Sequence, residues 1–260
     1  PPRSTLFPYT TLFRSGPLFK NPFMIFFGAA AQLGIFATMV IATLPPFNFS
    51  LKEAATIGII GAADGPTAIY VASKFAKEML GPISVAAYSY MALVPLIQPP
   101  VIRLLTTSRE RRIHMEYKDA GVPKWLKLVF PIAVTMISGI VAPISVPLVG
   151  SLMFGNLIRE SGVLERLSAT AQNELAYLVT LLLGITIGSS MRADRFLNVQ
   201  TLMILGMGLV AFVFDTAGGV LFTNLANLFL PKHRTINPKI GACGISAFPT
   251  SARFGQKMAA

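Results

Sequence analysis

Residues 23–44 run for 22 positions without a charged side chain and end on Pro45-Pro46. A soluble helix of that length needs a polar face, and this run offers none. As a helix it is long enough to cross a hydrocarbon layer of about 30 Å. Further apolar stretches follow at 82–102, 128–158, 175–190 and 201–230. With 53% hydrophobic residues, 13% charged and a mean hydropathy of +0.62, the chain has too little charge for a soluble domain of its size. The net charge of +11 raises nucleic acid as a partner. Its basic residues, however, lie in short stretches between apolar runs, where they orient helices in a bilayer. Nucleic acid is therefore not expected. Cys243 is the single cysteine, so no intrachain disulfide can form.

Between Ala54 and Ser73 the only ionisable side chains are Asp64 and Tyr70. Gly65 and Pro66 follow Asp64 directly and open the helix there, which predicts two half-helices meeting at Asp64. A broken helix at membrane depth persists where its freed backbone groups line a polar cavity, and transporters hold ions at such breaks. An ordinary surface turn is the competing reading. A second copy argues against it. Gly244-Ile-Ser-Ala-Phe-Pro-Thr-Ser251 repeats the Gly, Pro and Thr of Gly61-Ala-Ala-Asp-Gly-Pro-Thr-Ala68 at a spacing of 183 positions. The same spacing pairs Gln32 with Asp215, each a polar residue in an apolar stretch. Together these predict a duplicated unit with paired interrupted segments.

Residues 82–102 form a span bent at Gln98-Pro99-Pro100. The polar loop at 108–127 carries Arg109, Arg111, Arg112, Lys118, Lys124 and Lys127 against Glu110, Glu116 and Asp119, which predicts a cytoplasmic loop. Residues 128–158 are too long for one straight crossing and are expected to divide at Pro143 and Pro147. Residues 175–190 read as a short span of closely packing small residues. Residues 201–230 are again too long for one helix, and Asp215-Thr-Ala-Gly-Gly lies at their centre. A membrane-buried Asp costs about 2.5 to 3.5 kcal/mol and needs a partner or a wet cavity. Two readings of Asp215 stand: a structural helix-to-helix hydrogen bond, or a share in an ion path. The second broken segment covers 237–258.

Residues 1–15, with Thr-Leu-Phe twice, differ from the rest and resemble a translated sequencing-adapter read. They are set aside as non-native, and the chain is expected to be an internal fragment truncated at both ends. The expected architecture is an all-α polytopic membrane protein, an inverted-repeat, transporter-like bundle with two broken helices. It forms one transmembrane domain over 16–260, with repeat halves at 23–105 and 175–260.

Three strings carry a family resemblance: Gly61-Ala-Ala-Asp-Gly-Pro-Thr-Ala-Ile69, Leu96-Ile-Gln-Pro-Pro100, and the run from Asn237-Pro through Gly241, Gly244-Ile-Ser-Ala-Phe-Pro249 and Ser251-Ala-Arg253. They are similar to the β subunits of sodium-pumping, biotin-dependent decarboxylases, a group that includes oxaloacetate, glutaconyl-CoA and methylmalonyl-CoA decarboxylases. The resemblance implies decarboxylation of carboxybiotin coupled to Na+ export and proton uptake, in a translocase active only as a complex. It implies a biotin-carrying α subunit, a small γ membrane subunit, the bilayer of a bacterial or archaeal inner membrane and, as an open option, a second copy of the chain. The cofactors it implies are Na+ and the partner's biotin.

By the same resemblance Asp64 is the sodium and proton carboxylate and Tyr90 a participant beside it. Asn237, Gly241, Ser246 and Arg253 complete the second motif, with Thr67 and Asp215 as further ion-path candidates. Sodium is expected at Asp64, Asn237 and Ser246, whose oxygens are hard ligands. Arg253 is the counter-charge for a carboxylate or a cytoplasmic anchor. Gly241 also reads as a close-packing residue, and Tyr90 as a satisfied core tyrosine. A sodium- or proton-coupled secondary transporter without decarboxylase partners is the alternative.

Overall fold

The computed structural model describes residues 24–113, 123–190, 199–230 and 235–245, and among these it is helical with no strand. Among the described residues four helices are long and apolar enough to cross a membrane, at Phe26–Thr43, Lys77–Leu105, Lys124–Val141 and Val199–Phe229. Contacts divide the chain into two compact units.

The larger unit holds residues 24–113, 199–230 and 235–245. Its first span is interrupted, as α1 (Met24–Ala31) and α2 (Leu33–Thr43) with a turn at Gln32. The uncharged run 23–44 predicts an unbroken helix. The difference has a physical cause: a carboxylate from a distant helix takes the Ile35 N–H at 3.0 Å, and inserted side chains open helical ladders. A capping box then starts α3 (Leu51–Gly58). The Ser50 hydroxyl accepts from the Glu53 N–H, and the Glu53 carboxylate accepts from the Ser50 N–H.

Beyond α3 the chain tightens into a 3₁₀ turn (Ile59–Ala62), passes Ala63 at φ 51°, and restarts as α4 (Gly65–Phe75). Helix α5 (Leu80–Leu105) contains Pro95, Pro99 and Pro100, and α6 (Ser108–Arg111) is one capped turn.

The long helix α11 (Val199–Phe229) has 31 residues and no interruption. The expectation that 201–230 is too long for one helix is therefore corrected. Its glycines serve close approach rather than bending. A Cβ on Gly219 would stand 2.1 Å from the Gly241 carbonyl oxygen, and one on Gly218 would stand 2.8 Å from that of Ala30. At 1.5 Å per residue it measures about 46 Å, so it tilts or projects beyond the hydrocarbon layer. Around it pack α1, α2, α5, the 3₁₀ turn and α12 (Lys239–Ala242). Alanines 42, 54, 68, 72, 76, 86 and 87 are buried in this core, where small side chains let helices come together without help from the hydrophobic effect.

The smaller unit, over 123–190, holds α7 (Lys124–Val141) and α8 (Val146–Ser161), which pack on each other across a turn at Pro143–Ser145. The run 128–158 thus divides at Pro143, and Pro147 falls in the first turn of α8, where proline is tolerated. Lys127 and Glu160 form an ion pair at 3.3 Å. Helices α9 (Glu165–Thr170) and α10 (Ala176–Ser190) join through a π turn (Ala171–Leu175). Tyr177, Leu178, Leu181, Leu182 and Ile185 of α10 are exposed.

Candidate functional site

Asp64 stands at the break as the N-cap of α4. Its Oδ1 accepts from the Thr67 N–H at 3.4 Å, and its Oδ2 accepts from the Thr67 hydroxyl at 2.5 Å. The Asp-Gly-Pro-Thr order builds this locally. Asp caps, Pro fills a first-turn position that needs no N–H donor, and Thr at the third helical position closes the loop. The carboxylate is half-buried and faces the positive end of the α4 dipole. Tyr88 of α5 covers the same turn. Its Cζ, which bears the hydroxyl, would meet a Cβ on residue 65 at 2.6 Å. Only glycine fits beneath that ring.

Tyr90 is placed differently. It is buried, its ring lies against Gly208 of α11, and its hydroxyl donates to the Leu205 carbonyl at 2.5 Å. Tyr88, two residues earlier, is thus the tyrosine beside Asp64, and helical phase separates the two by about 200°.

The second break is held by amides. Asn227, near the end of α11, pairs both backbone groups of Ile236, at 2.7 and 2.8 Å. Asn237 donates to the carbonyls of Arg111 and Ile113 at 3.1 and 2.9 Å and accepts the Lys239 N–H at 3.1 Å. Two glutamines reach carbonyls at and just past the end of α12: Gln98 donates to Ala242 at 2.7 Å, and Gln32 to Gly244 at 3.5 Å. Gly241 packs on Gly219 so closely that a Cβ there would stand 1.9 Å from the Gly219 oxygen. Ser246, Pro249 and Arg253 lie outside the described residues.

The breaks share one buried cluster. Ala63, next to Asp64, and Ile245, next to Gly244, pack with Ala31, Val94 and Phe212. Asp215, one turn along α11 from Phe212, is fully buried. Its Oδ1 accepts from Ile35, and its Oδ2 faces Gly61, where a Cβ would stand 2.5 Å away. Among the described residues Asp215 Oδ2 has no hydrogen-bond partner.

The larger unit thus brings the break at Asp64 together with the chain that leaves α12 at Gly244 and Ile245, and it brings Asp215 to the Asp64 break. Sequence reading alone did not single out Tyr88 or Gln98 as site residues; Gln98 stood in the Pro-rich string as a bend.

Comparison with known proteins decides the family. The family described as Na+-transporting oxaloacetate decarboxylase beta subunit matches residues 10–260. The chain belongs to that family. The matched range begins inside the stretch 1–15 set aside above. The chain is similar to the oxaloacetate decarboxylase beta chain of Haemophilus ducreyi, at 52% identity over 247 residues, covering 94% of this chain and 56% of that protein. The corresponding beta chain of Klebsiella pneumoniae matches at the same identity and coverage. The methylmalonyl-CoA decarboxylase subunit beta of Propionigenium modestum is 49% identical over 241 residues, covering 93% of this chain and 60% of that protein. The chain therefore spans just over half the length of these relatives. Family and apolar helices together make it a membrane protein.

Proposed function

We propose that this chain is the ion-carrying part of a multi-pass, inner-membrane β subunit that decarboxylates carboxybiotin and couples this to Na+ export with proton uptake. Its partners are a biotin-carrying α subunit, which delivers carboxybiotin, and a small γ subunit. The supporting observation is the Asp64–Thr67 pair, set at a helix break that shares a buried cluster with a second break. The carboxylate and hydroxyl keep lone pairs beyond their mutual hydrogen bonds, and hard oxygen donors suit Na+, here the cargo. The paired breaks at a spacing of 183 support an inverted-repeat arrangement.

In this reading Asp64 binds Na+ when ionised and releases it on taking a proton. Thr67 holds the carboxylate in place, and Tyr88 shields it from one side. Arg253, in the second motif, holds a carboxyl group through its two-pronged fork. Ser246 adds a hydroxyl ligand, and Asn237 acts through the backbone it ties.

The test uses the complete complex with its biotinylated subunit. Asp64→Asn is expected to abolish Na+-dependent decarboxylation while membrane insertion and co-purification persist. Removing the charge eases insertion and removes the ion's anchor. Full Na+-stimulated turnover in that variant would contradict the assignment. Absence of a biotinylated partner from the wild-type complex would favour a plain transporter.

A further inference from the structure

Asp215 and Gln32 stand 183 positions apart, and so do Gly61 and Gly244. The contacts are crossed. Gln32, between α1 and α2, donates to the carbonyl of Gly244 at the second break. Asp215, on α11, turns Oδ2 toward Gly61 at the first break. An amide at residue 32 always carries donor protons, whereas a carboxylate at residue 215 carries none unless it is protonated.

The surroundings favour a proton there. Asp215 is fully buried, and Ile35 supplies its hydrogen bond on Oδ1. The titratable groups on or next to the elements packed against α11 are Lys52 and Glu53 on α3, Asp64 just past the 3₁₀ turn, Tyr88, Tyr90 and Arg103 on α5, and Lys239 and Cys243 at α12. Among the described residues Asp215 is not bonded or ion-paired to any of them. An isolated buried carboxylate is neutralised rather than kept as an anion. Sodium fits the space poorly. It needs several oxygens around it, and a Cβ on Gly61 would already crowd Oδ2 and the Ala211 methyl at 2.5 and 2.8 Å.

We propose that Asp215 is a second protonatable carboxyl of the transport cycle. With a proton on Oδ2 it spans from α11 to the first break, as Gln32 spans to the second, and loss of that proton releases the crossing. The proton comes from water and returns to it, and only the O–H bond forms or breaks. The transport role rests on the pumping reading; the protonation itself does not.

The experiment uses the full-length subunit in its complex and a hydrophobic carbodiimide, which attacks protonated carboxyls in apolar settings. Modified peptides are identified by mass spectrometry. The expected result is modification of Asp215 that is lost as pH rises at fixed Na+. Asp215→Asn, whose amide retains the acceptor for Ile35 and a permanent donor, is expected to bind Na+ but lose the pH dependence of Na+ transport. Three results would overturn the proposal: no modification of Asp215, a wild-type pH profile in Asp215→Asn, or protection of Asp215 by Na+ at fixed pH in an Asp64→Asn background. The last would make sodium the occupant. If Asp215 is silent while Asp64→Asn still abolishes Na+-dependent turnover, this proposal fails and the pumping reading stands.

Discussion

Asp64 and Asp215 are both carboxylates in apolar surroundings, and their surroundings suit different tasks. Asp64 is half-buried at the head of a helix, with Thr67 holding both oxygens. Asp215 is sealed in a helix interface with one oxygen unmatched among the described residues. The Thr67 hydroxyl is the adjustable part of the first site. A hydrogen bond to a charged group contributes about 1.5 to 3 kcal/mol, so Thr67→Val should raise the Na+ concentration for half-maximal decarboxylation about tenfold or more. Thr67→Ser should stay close to wild type. Equal Na+ requirements for the valine and serine variants would show that the hydroxyl does not position the carboxylate. At this scale Asp64 was legible from its isolation in an apolar run and from Gly-Pro behind it. The choice between Tyr88 and Tyr90 was not, because it depends on which face of α5 meets α11 and which meets the break.

At the scale of elements, close approach of backbones positions the second break. Each of Gly241 and Gly219 sets its carbonyl oxygen against the place where the other's Cβ would stand, and both sides of the contact are main chain, which cannot rotate away. Gly241→Ala is expected to destabilise the complex by about 1 to 3 kcal/mol, the cost of overpacking, read as a lower Tm of the purified complex. Gly28→Ala is the control, since nothing lies within 4 Å of its Cβ position. A helical Gly→Ala change there should be neutral or slightly stabilising. Equal Tm shifts for the two would rule out the packing account. The same contact explains why α11 reads from the sequence as two pieces. The run exceeds the length of one crossing, and only the partner backbone shows that its central glycines are kept for proximity. The turn at Gln32 was hidden for the opposite reason, since its cause is a carboxylate on α11, far along the chain.

Across the larger unit, two segments that the sequence marked as broken meet around Phe212; Gln32 reaches Gly244 of the second, and Asp215 turns toward Gly61 of the first. The spacing of 183 singled out both segments from the sequence, because a recurring pattern can be read without knowledge of packing. Which break each polar residue faces became visible only in three dimensions. The central claim is that both breaks serve one Na+ site anchored at Asp64, and Cys243 offers a direct test. It lies between Gly241 and Gly244, is half-buried, and its thiol donates to the Lys239 carbonyl at 3.3 Å. In the complete complex, labelling of this cysteine by a small water-soluble thiol reagent should slow when Na+ is added, and Asp64→Asn should remove that slowing. Slowing that persists in Asp64→Asn, or labelling indifferent to Na+ in protein that binds it, would contradict a single site shared by the two breaks.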